Sequence, residues 1–295
     1  MRKKKEKVLL NDIEISDFAA EGNAIAKNDD KVIFIPNVVP GDIVDLEIYK
    51  QKKSYSLARL VKINHYSDKR VEEKCPHFKN CGGCSWQMLD YKWQLKYKQQ
   101  QVVDALERIG EVDCKDILPI LASDNIYYYR NKLEFTFSSK AWVENYDKEM
   151  ETTPALGFHV SGFFDKVLDI KECVLQKEPS NEIRNFIRAY AIENEISFYD
   201  IKQHTGLLRN LVIRTTEKGS IMVIVVFSND EEKDVIKKMM SSIKEKFPQI
   251  TSLMYCINKK MNDSLSDQEF ILFSGEDFIM EYMPRYSEKL KDNSE

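Results

Sequence analysis

A chain of 295 residues with 43% hydrophobic and 31% charged side chains is long enough for two domains with apolar cores, and its net charge of -4 excludes a protein coated with base for nucleic acid. The longest apolar run, Ile221 to Phe227, is far short of the roughly 18 residues a membrane span needs, and MRKKKEKVLL lacks the apolar stretch of a secretory leader. A cytoplasmic protein with no membrane partner is therefore expected. Six cysteines are too few for a disulfide scaffold, which leaves metal binding as the reading for those that cluster. Base slightly exceeds acid over residues 1–140 and the order reverses beyond, so a polyanion should meet the N-terminal half first.

Residues 1–65 read as short strands separated by turns. KVLLNDIEISDF, GNAIAK, KVIFIPN, DIVDLEIYKQ and SYSLARLVKIN alternate or run apolar, with breaks at Glu21-Gly22, Asn28-Asp29-Asp30 and Pro40-Gly41-Asp42. Five short strands without a helix predict a small OB-like β-barrel, a frequent nucleic-acid binder. The last hairpin carries Lys50, Lys52, Lys53, Tyr55, Arg59 and Lys62, a basic and aromatic mixture that suits phosphates and bases. A hairpin kept in solution by its lysines has the same composition.

Residues 66–125 hold a cysteine segment and a long helix. In CPHFKNCGGCSW, Cys75, Cys81 and Cys84 are spaced with five and then two residues between them. The following SWQMLDYKWQLKYKQQQVVDALERIG predicts a helix capped by Ser85 and stopped by Gly110, with Trp86, Leu89, Trp93 and Tyr97 as a packed stripe. Lys92, Lys96 and Lys98 lie off that stripe, facing either solvent or a phosphate backbone.

Residues 126–295 read as an α+β domain. In YRNKLEFTFSS, Asn131, Leu133, Phe135 and Phe137 fall on one face and Arg130, Lys132, Glu134 and Thr136 on the other. Further strands are expected at ALGFHV, DKVLDI, LRNLVIRTT, SIMVIVVFS, TSLMYCIN and EFILF. One helix begins at Ser180, with Ile183, Phe186, Ile187 and Tyr190 inward. A second spans about Asp230 to Phe247, with Val235, Ile236, Met239, Met240 and Ile243 as its stripe. The order predicts a largely antiparallel sheet with helices on one face.

Three clustered thiols call for a cation or a cluster and a fourth ligand. Gly82 and Gly83 can bring backbone close to such a site. The candidates for the fourth position are Cys114, Cys173, Cys256 and His77; His77 would make a cramped chelate, and spacing does not choose among the cysteines. Zinc and iron both accept four thiolates. The first gap of five excludes the radical enzymes that use S-adenosylmethionine, and the spacing is too open for a bacterial ferredoxin.

The succession of parts resembles the RNA uracil-5-methyltransferases that carry an N-terminal TRAM domain and an iron-sulfur cluster. The likeness rests on the barrel, CPHFKNCGGCSWQMLDYKWQLKYKQQQV, YYYRNKLEFTF, GFH with DIKEC, and LRNLVIRTT, and it covers essentially the whole chain. It implies that Cys75, Cys81, Cys84 and Cys173 ligate a [4Fe-4S] cluster, and that Cys114 and Cys256 are ordinary buried cysteines; the role expected of the cluster, apart from the resemblance, is a structural clamp. It implies structured RNA as partner, ribosomal in preference to transfer RNA and not DNA, with Lys53, Arg59, Lys62, Arg130 and Lys132 as contacts. Arg130 and Lys132 equally suit a solvent-facing strand edge.

Such enzymes add a cysteine to C6 of a flipped-out uracil, methylate C5 from S-adenosylmethionine, and remove the C5 proton with a carboxylate. The sequence shows no glycine-rich turn for a nucleotide, and Cys114 and Cys256 match no nucleophile motif. No catalytic residue is assigned. The Rossmann-like domain is expected to be absent from this chain, which alone should be inactive, with S-adenosylmethionine entering only through that domain. The competing expectations are a non-catalytic RNA-binding module with structural zinc or an iron-sulfur site and, less well supported, an electron-transfer protein.

Overall fold

Alternation along the first five strands dictates a closed barrel. In the computed structural model, which describes residues 8–19, 22–28, 31–144 and 152–283, β1 (Val8–Phe18), β2 (Ala24–Asn28), β3 (Lys31–Ile35), β4 (Ile43–Gln51) and β5 (Tyr55–His65) close in the order β1-β2-β3-β5-β4. The expected breaks at Glu21 and at Asp29-Asp30 lie outside the described residues, as do the basic N-terminus and the end of the chain. Every second side chain points inward, so Ile15, Ala24, Ala26, Ile33, Ile35, Val44, Leu46 and Ala58 are buried. Register shifts in β1 and along the β4–β5 pair mark the irregularities that let so small a sheet curl onto itself.

Two compact units divide the chain, one of residues 1–79 with 83–126 and the other of residues 80–82 with 127–295. The first therefore includes the long helix α1 (Tyr91–Arg108) together with the barrel. The helix starts six residues later than the expected Ser85 cap. Asp90 accepts the backbone N–H of Lys92 at 3.0 Å and caps it instead, and Trp86 and Leu89 form the preceding turn. The aromatic stripe does pack on the barrel. Phe18 meets the Trp86 ring at 4.7 Å and Tyr97 at 5.0 Å, and the Trp86 indole N–H donates to the Gly22 carbonyl. At the other end the N–H groups of Ile109 and Gly110 fold back onto the Ala105 carbonyl, which ends the helix where the glycine predicted.

The second unit is a seven-stranded sheet in the order β12-β11-β10-β9-β6-β7-β8. Its strands are β6 (Lys132–Ser138), β7 (Ala155–His159), β8 (Val167–Asp169), β9 (Leu208–Thr215), β10 (Ile221–Phe227), β11 (Ser252–Ile257) and β12 (Phe270–Gly275). All neighbours run antiparallel except β10 and β11, which are parallel because α3 (Lys233–Lys246) is the crossover between them. Leu133, Phe135 and Phe137 are buried as the alternation predicts, whereas Asn131 is exposed ahead of the strand. Helix α2 (Ser180–Glu193) buries Ile183, Ile187 and Ala191, and α3 buries Ile236, Met239, Met240 and Ile243.

The sheet carries a further apolar cluster besides the main core. Val212, Ile224, Val226, Met254 and Cys256 form a second core on the alternate face, with Leu265 of the β11–β12 connection packed against it. Central strands β9 and β10 are thus buried on both faces, which is why IMVIVVF runs apolar without alternating. No helix among the described residues is long and apolar enough to cross a membrane.

Candidate nucleic-acid interface

The turn Pro40-Gly41-Asp42 organises the barrel surface. Gly41 holds φ +96°, and a Cβ there would meet Ser67 Oγ at 2.7 Å, so glycine is required. The Asp42 side chain is wholly buried, yet both its oxygens are engaged. It accepts the N–H groups of Val39 at 2.8 Å and Ser67 at 3.0 Å, and Arg70 clamps it from Nε at 2.9 and 3.1 Å and from Nη2 at 2.8 Å. A buried carboxylate persists only when matched this completely. The clamp ties segment 67–70 to the β3–β4 connection.

Of the five basic residues expected to contact RNA, Lys53, Lys62 and Arg130 are exposed. Lys53 lies in the β4–β5 turn and Lys62 near the far end of β5, so the two belong to opposite ends of that strand. Arg59 is engaged. Its guanidinium donates to the mostly buried Glu47 across the β4–β5 pair, from Nε at 3.1 Å and Nη2 at 2.5 Å, so its charge is offset locally. Lys132 lies 3.2 Å from Glu134 on the same strand face.

Opposite Lys132 stands Arg214 on β9, exposed and in direct register. Like charges across a rung repel, so this pair disfavours the bare sheet and suits a surface that meets an anion. Sequence reading passed over Arg214 because LRNLVIRTT does not alternate: its first six strand residues are buried and only Arg214 is exposed.

In the barrel unit Cys75 and Cys84 pack against the apolar core, and the Cys75 N–H donates to Gln87 Oε1 at 3.1 Å. In the sheet unit Cys81 pairs with Val160 as an isolated antiparallel bridge and the Gly82 N–H donates to the His159 carbonyl at 3.0 Å. A Cβ on Gly82 would fall 2.8 Å from that carbonyl, so this approach needs glycine. Cys173 is buried under the first turn of α2. Asn181 accepts its N–H at 2.7 Å and donates back to its carbonyl at 3.3 Å. One turn on, the buried Arg184 donates to the carbonyls of Ile170 and Leu156, and burial pulls its pKa down to about 10.

Thiolates are the right donors for zinc or an iron-sulfur cluster, but no group of three or more His, Cys, Asp or Glu among the described residues is placed to hold a metal ion. Cys256 is a core cysteine, its thiol pushed up by burial. Cys114 corrects the expectation: it is only partly buried, with Sγ facing the Val112 carbonyl. A groove of about 490 Å³ lies between α3 and strands β11 and β12, lined by Lys233, Lys237, Tyr255 and Phe273 among others.

Residues 11–61 match the family model of the TRAM domain. The chain is 48% identical over 271 residues to an uncharacterized RNA methyltransferase of Bacteroides thetaiotaomicron, covering 90% of this chain and 60% of that protein. It is 46% identical over 280 residues to one of Porphyromonas gingivalis, covering 92% of this chain and again 60% of the relative. Among solved structures, the tRNA (uracil-54, C5)-methyltransferase of Pyrococcus abyssi in complex with S-adenosyl-L-homocysteine has a similar fold, with a TM-score of 0.64 at 22% identity over 92% of this chain and 57% of that one. The chain thus spans about 60% of the length of the curated relatives it matches.

Proposed function

We propose that these 295 residues form the RNA-recognising portion of an S-adenosylmethionine-dependent methyltransferase acting on C5 of a uracil, the methyl transfer belonging to the length of the relatives outside the match. The observation that carries this reading is the continuity of the match, 48% identity across 90% of the chain with a protein described as an RNA methyltransferase. The TRAM match over 11–61 and the exposed Lys132–Arg214 rung support the RNA side of it. The uracil and S-adenosylmethionine come from the family likeness and from what the Pyrococcus neighbour's description says of that protein. No residue of this chain is assigned to the methyl donor. Ribosomal RNA is the favoured substrate and transfer RNA the second.

In this reading Lys53, Lys62, Arg130 and Arg214 meet phosphates, and Arg59 and Lys132 contribute less because Glu47 and Glu134 already offset them. The family likeness alone proposes Cys75, Cys81, Cys84 and Cys173 as ligands of a [4Fe-4S] cluster, since the described residues show no group placed to hold a metal ion. Anaerobically purified protein should then be brown, with about four irons and matching sulfide per chain. Colourless protein with one zinc would instead favour a non-catalytic RNA-binding module.

The test of function is titration of a ribosomal RNA fragment and a transfer RNA with the 295-residue polypeptide across a range of salt. Affinity should fall linearly on a log–log plot, and Arg214→Ala should reduce the slope by about 0.9, one phosphate's share, where Arg59→Ala reduces it less. Failure to bind either RNA at low salt would contradict the reading. Methylation of either RNA by this polypeptide alone would overturn the placement of the chemistry elsewhere.

A further inference from the structure

One aromatic ring on the barrel unit is built to stay in solvent. Tyr66 follows β5, and its backbone is fixed on both sides. His65 pairs with Ile43 across the β4–β5 ladder, and Ser67 gives its N–H to Asp42 and its hydroxyl to the Pro40 carbonyl at 2.8 Å. Ser67 is buried, yet Tyr66 next to it is 64% exposed. The ring does not simply hang free. The Arg70 guanidinium lies 5.6 Å from its centroid, within cation–π range.

That guanidinium cannot swing away, because three contacts to the buried Asp42 and a fourth to the Asn37 carbonyl at 3.3 Å hold it. A ring backed by a fixed cation has little rotamer freedom left to lose when a second planar group covers its open side. The ion pair that ties segment 67–70 to the β3–β4 connection thus also backs an exposed aromatic ring.

The surroundings select the occupant. The Asp90 N–H donates to the Lys69 carbonyl at 3.0 Å and Arg70 bridges Leu89, so segment 66–70 runs beside the start of α1. There Lys69 and Lys96 both lie over the Trp93 ring, at 5.1 and 4.8 Å. Against them stands the exposed Asp68, 4.0 Å from the Lys69 ammonium. Flat rings alternating with ammonium groups match the alternation of base and phosphate along a single strand.

We infer that Tyr66, backed by Arg70, is a stacking platform for an unpaired base of RNA, with the exposed Lys96 nearby for a flanking phosphate. The inference rests on the RNA-recognition reading above and adds to it the residue that takes a base. No pairing hydrogen bond is offered at Tyr66, so the platform holds a base without naming which one.

The experiment uses the 295-residue protein and a single-stranded oligoribonucleotide carrying 2-aminopurine, whose fluorescence is quenched on stacking. Affinity and quenching are measured over several salt concentrations for wild type, Tyr66→Ala, Tyr66→Phe and Lys96→Ala. Tyr66→Ala should bind about five- to a hundredfold more weakly and lose quenching, with the salt slope unchanged, since no phosphate contact is removed. Tyr66→Phe should stay within about twofold, because the ring is retained. Lys96→Ala should instead lower the slope by about 0.7, the share of one phosphate on a single strand. Wild-type affinity and quenching in Tyr66→Ala would overturn the platform while leaving RNA recognition standing. Absence of salt-dependent binding by the wild type would remove the reading beneath it, and the platform with it.

Discussion

The two units bury charge in opposite ways. In the barrel unit Asp42 is wholly buried and meets a full counter-charge, Arg70, in a two-nitrogen clamp. In the sheet unit Arg209 is almost as deeply buried but is satisfied mainly by neutral oxygens. It donates to the carbonyls of Asn258, Lys260 and Asn262 and to the partly exposed Asp263, and it lies 4.4 Å from the Tyr199 ring. Its Nε has no partner. The first device joins segments 28 residues apart and fixes how the barrel closes; the second shapes one local connection, between β11 and β12. Loss of charge should therefore act globally in one unit and locally in the other.

The largest effect is expected from Asp42→Ala. Removing it strands the Arg70 guanidinium and two buried N–H groups, which should lower unfolding stability by about 4 kcal/mol. A urea titration followed by intrinsic fluorescence checks this, with Trp86 and Trp93 reporting on the barrel unit. Arg209→Met keeps the volume and releases the three carbonyls. A loss of about 2 kcal/mol is expected, accompanied by faster amide exchange confined to residues 258–268. Faster exchange across the whole sheet unit after that substitution would show that Arg209 does more than shape the connection.

The smallest effect concerns pH and again belongs to the sheet unit. The ammonium groups of Lys202, Lys259 and Lys260 hold Asp165, Asp230 and Asp267 below the ordinary carboxylate value of 3.8. A carboxylate with a depressed folded pKa contributes stability that is present above the unfolded value and is lost as pH falls through the folded one. Thermal midpoints should thus be insensitive to these pairs above about pH 5 and should decline below 3.8. These pairs are exposed, so the decline should be shallow and should weaken further in high salt.

The barrel was legible because β-strand alternation and turn residues are local signals, and Pro40-Gly41-Asp42 announces a turn. What Asp42 does there was not legible, since Val39, Ser67 and Arg70 converge on it only once the barrel has closed. The start of α1 was misread for a related reason. Ser85 and Asp90 are both acceptable caps, and the choice was made by Trp86, which turns aside to pack on Phe18. Arg59 illustrates the limit of composition: a basic residue on a basic hairpin looks available until Glu47 is found across the ladder. Arg214 was missed because β9 is buried on both faces over most of its length and so shows no alternation to single out its one exposed residue. Cys114 was assigned burial by default, and nothing local to GEVDCKDILP could have corrected that. The choice of Cys173 over the other distant cysteines came from family likeness, since a loop return of that length leaves no trace in spacing.

Ultraviolet cross-linking of the bound complex with a ribosomal RNA fragment, followed by mass spectrometry of the cross-linked peptides, tests the central claim most directly. Recognition by these residues predicts cross-links at Tyr66 and on the peptides carrying Lys132 and Arg214, and their disappearance at high salt. Cross-links confined to other peptides, or none above those of an unrelated protein, would contradict it.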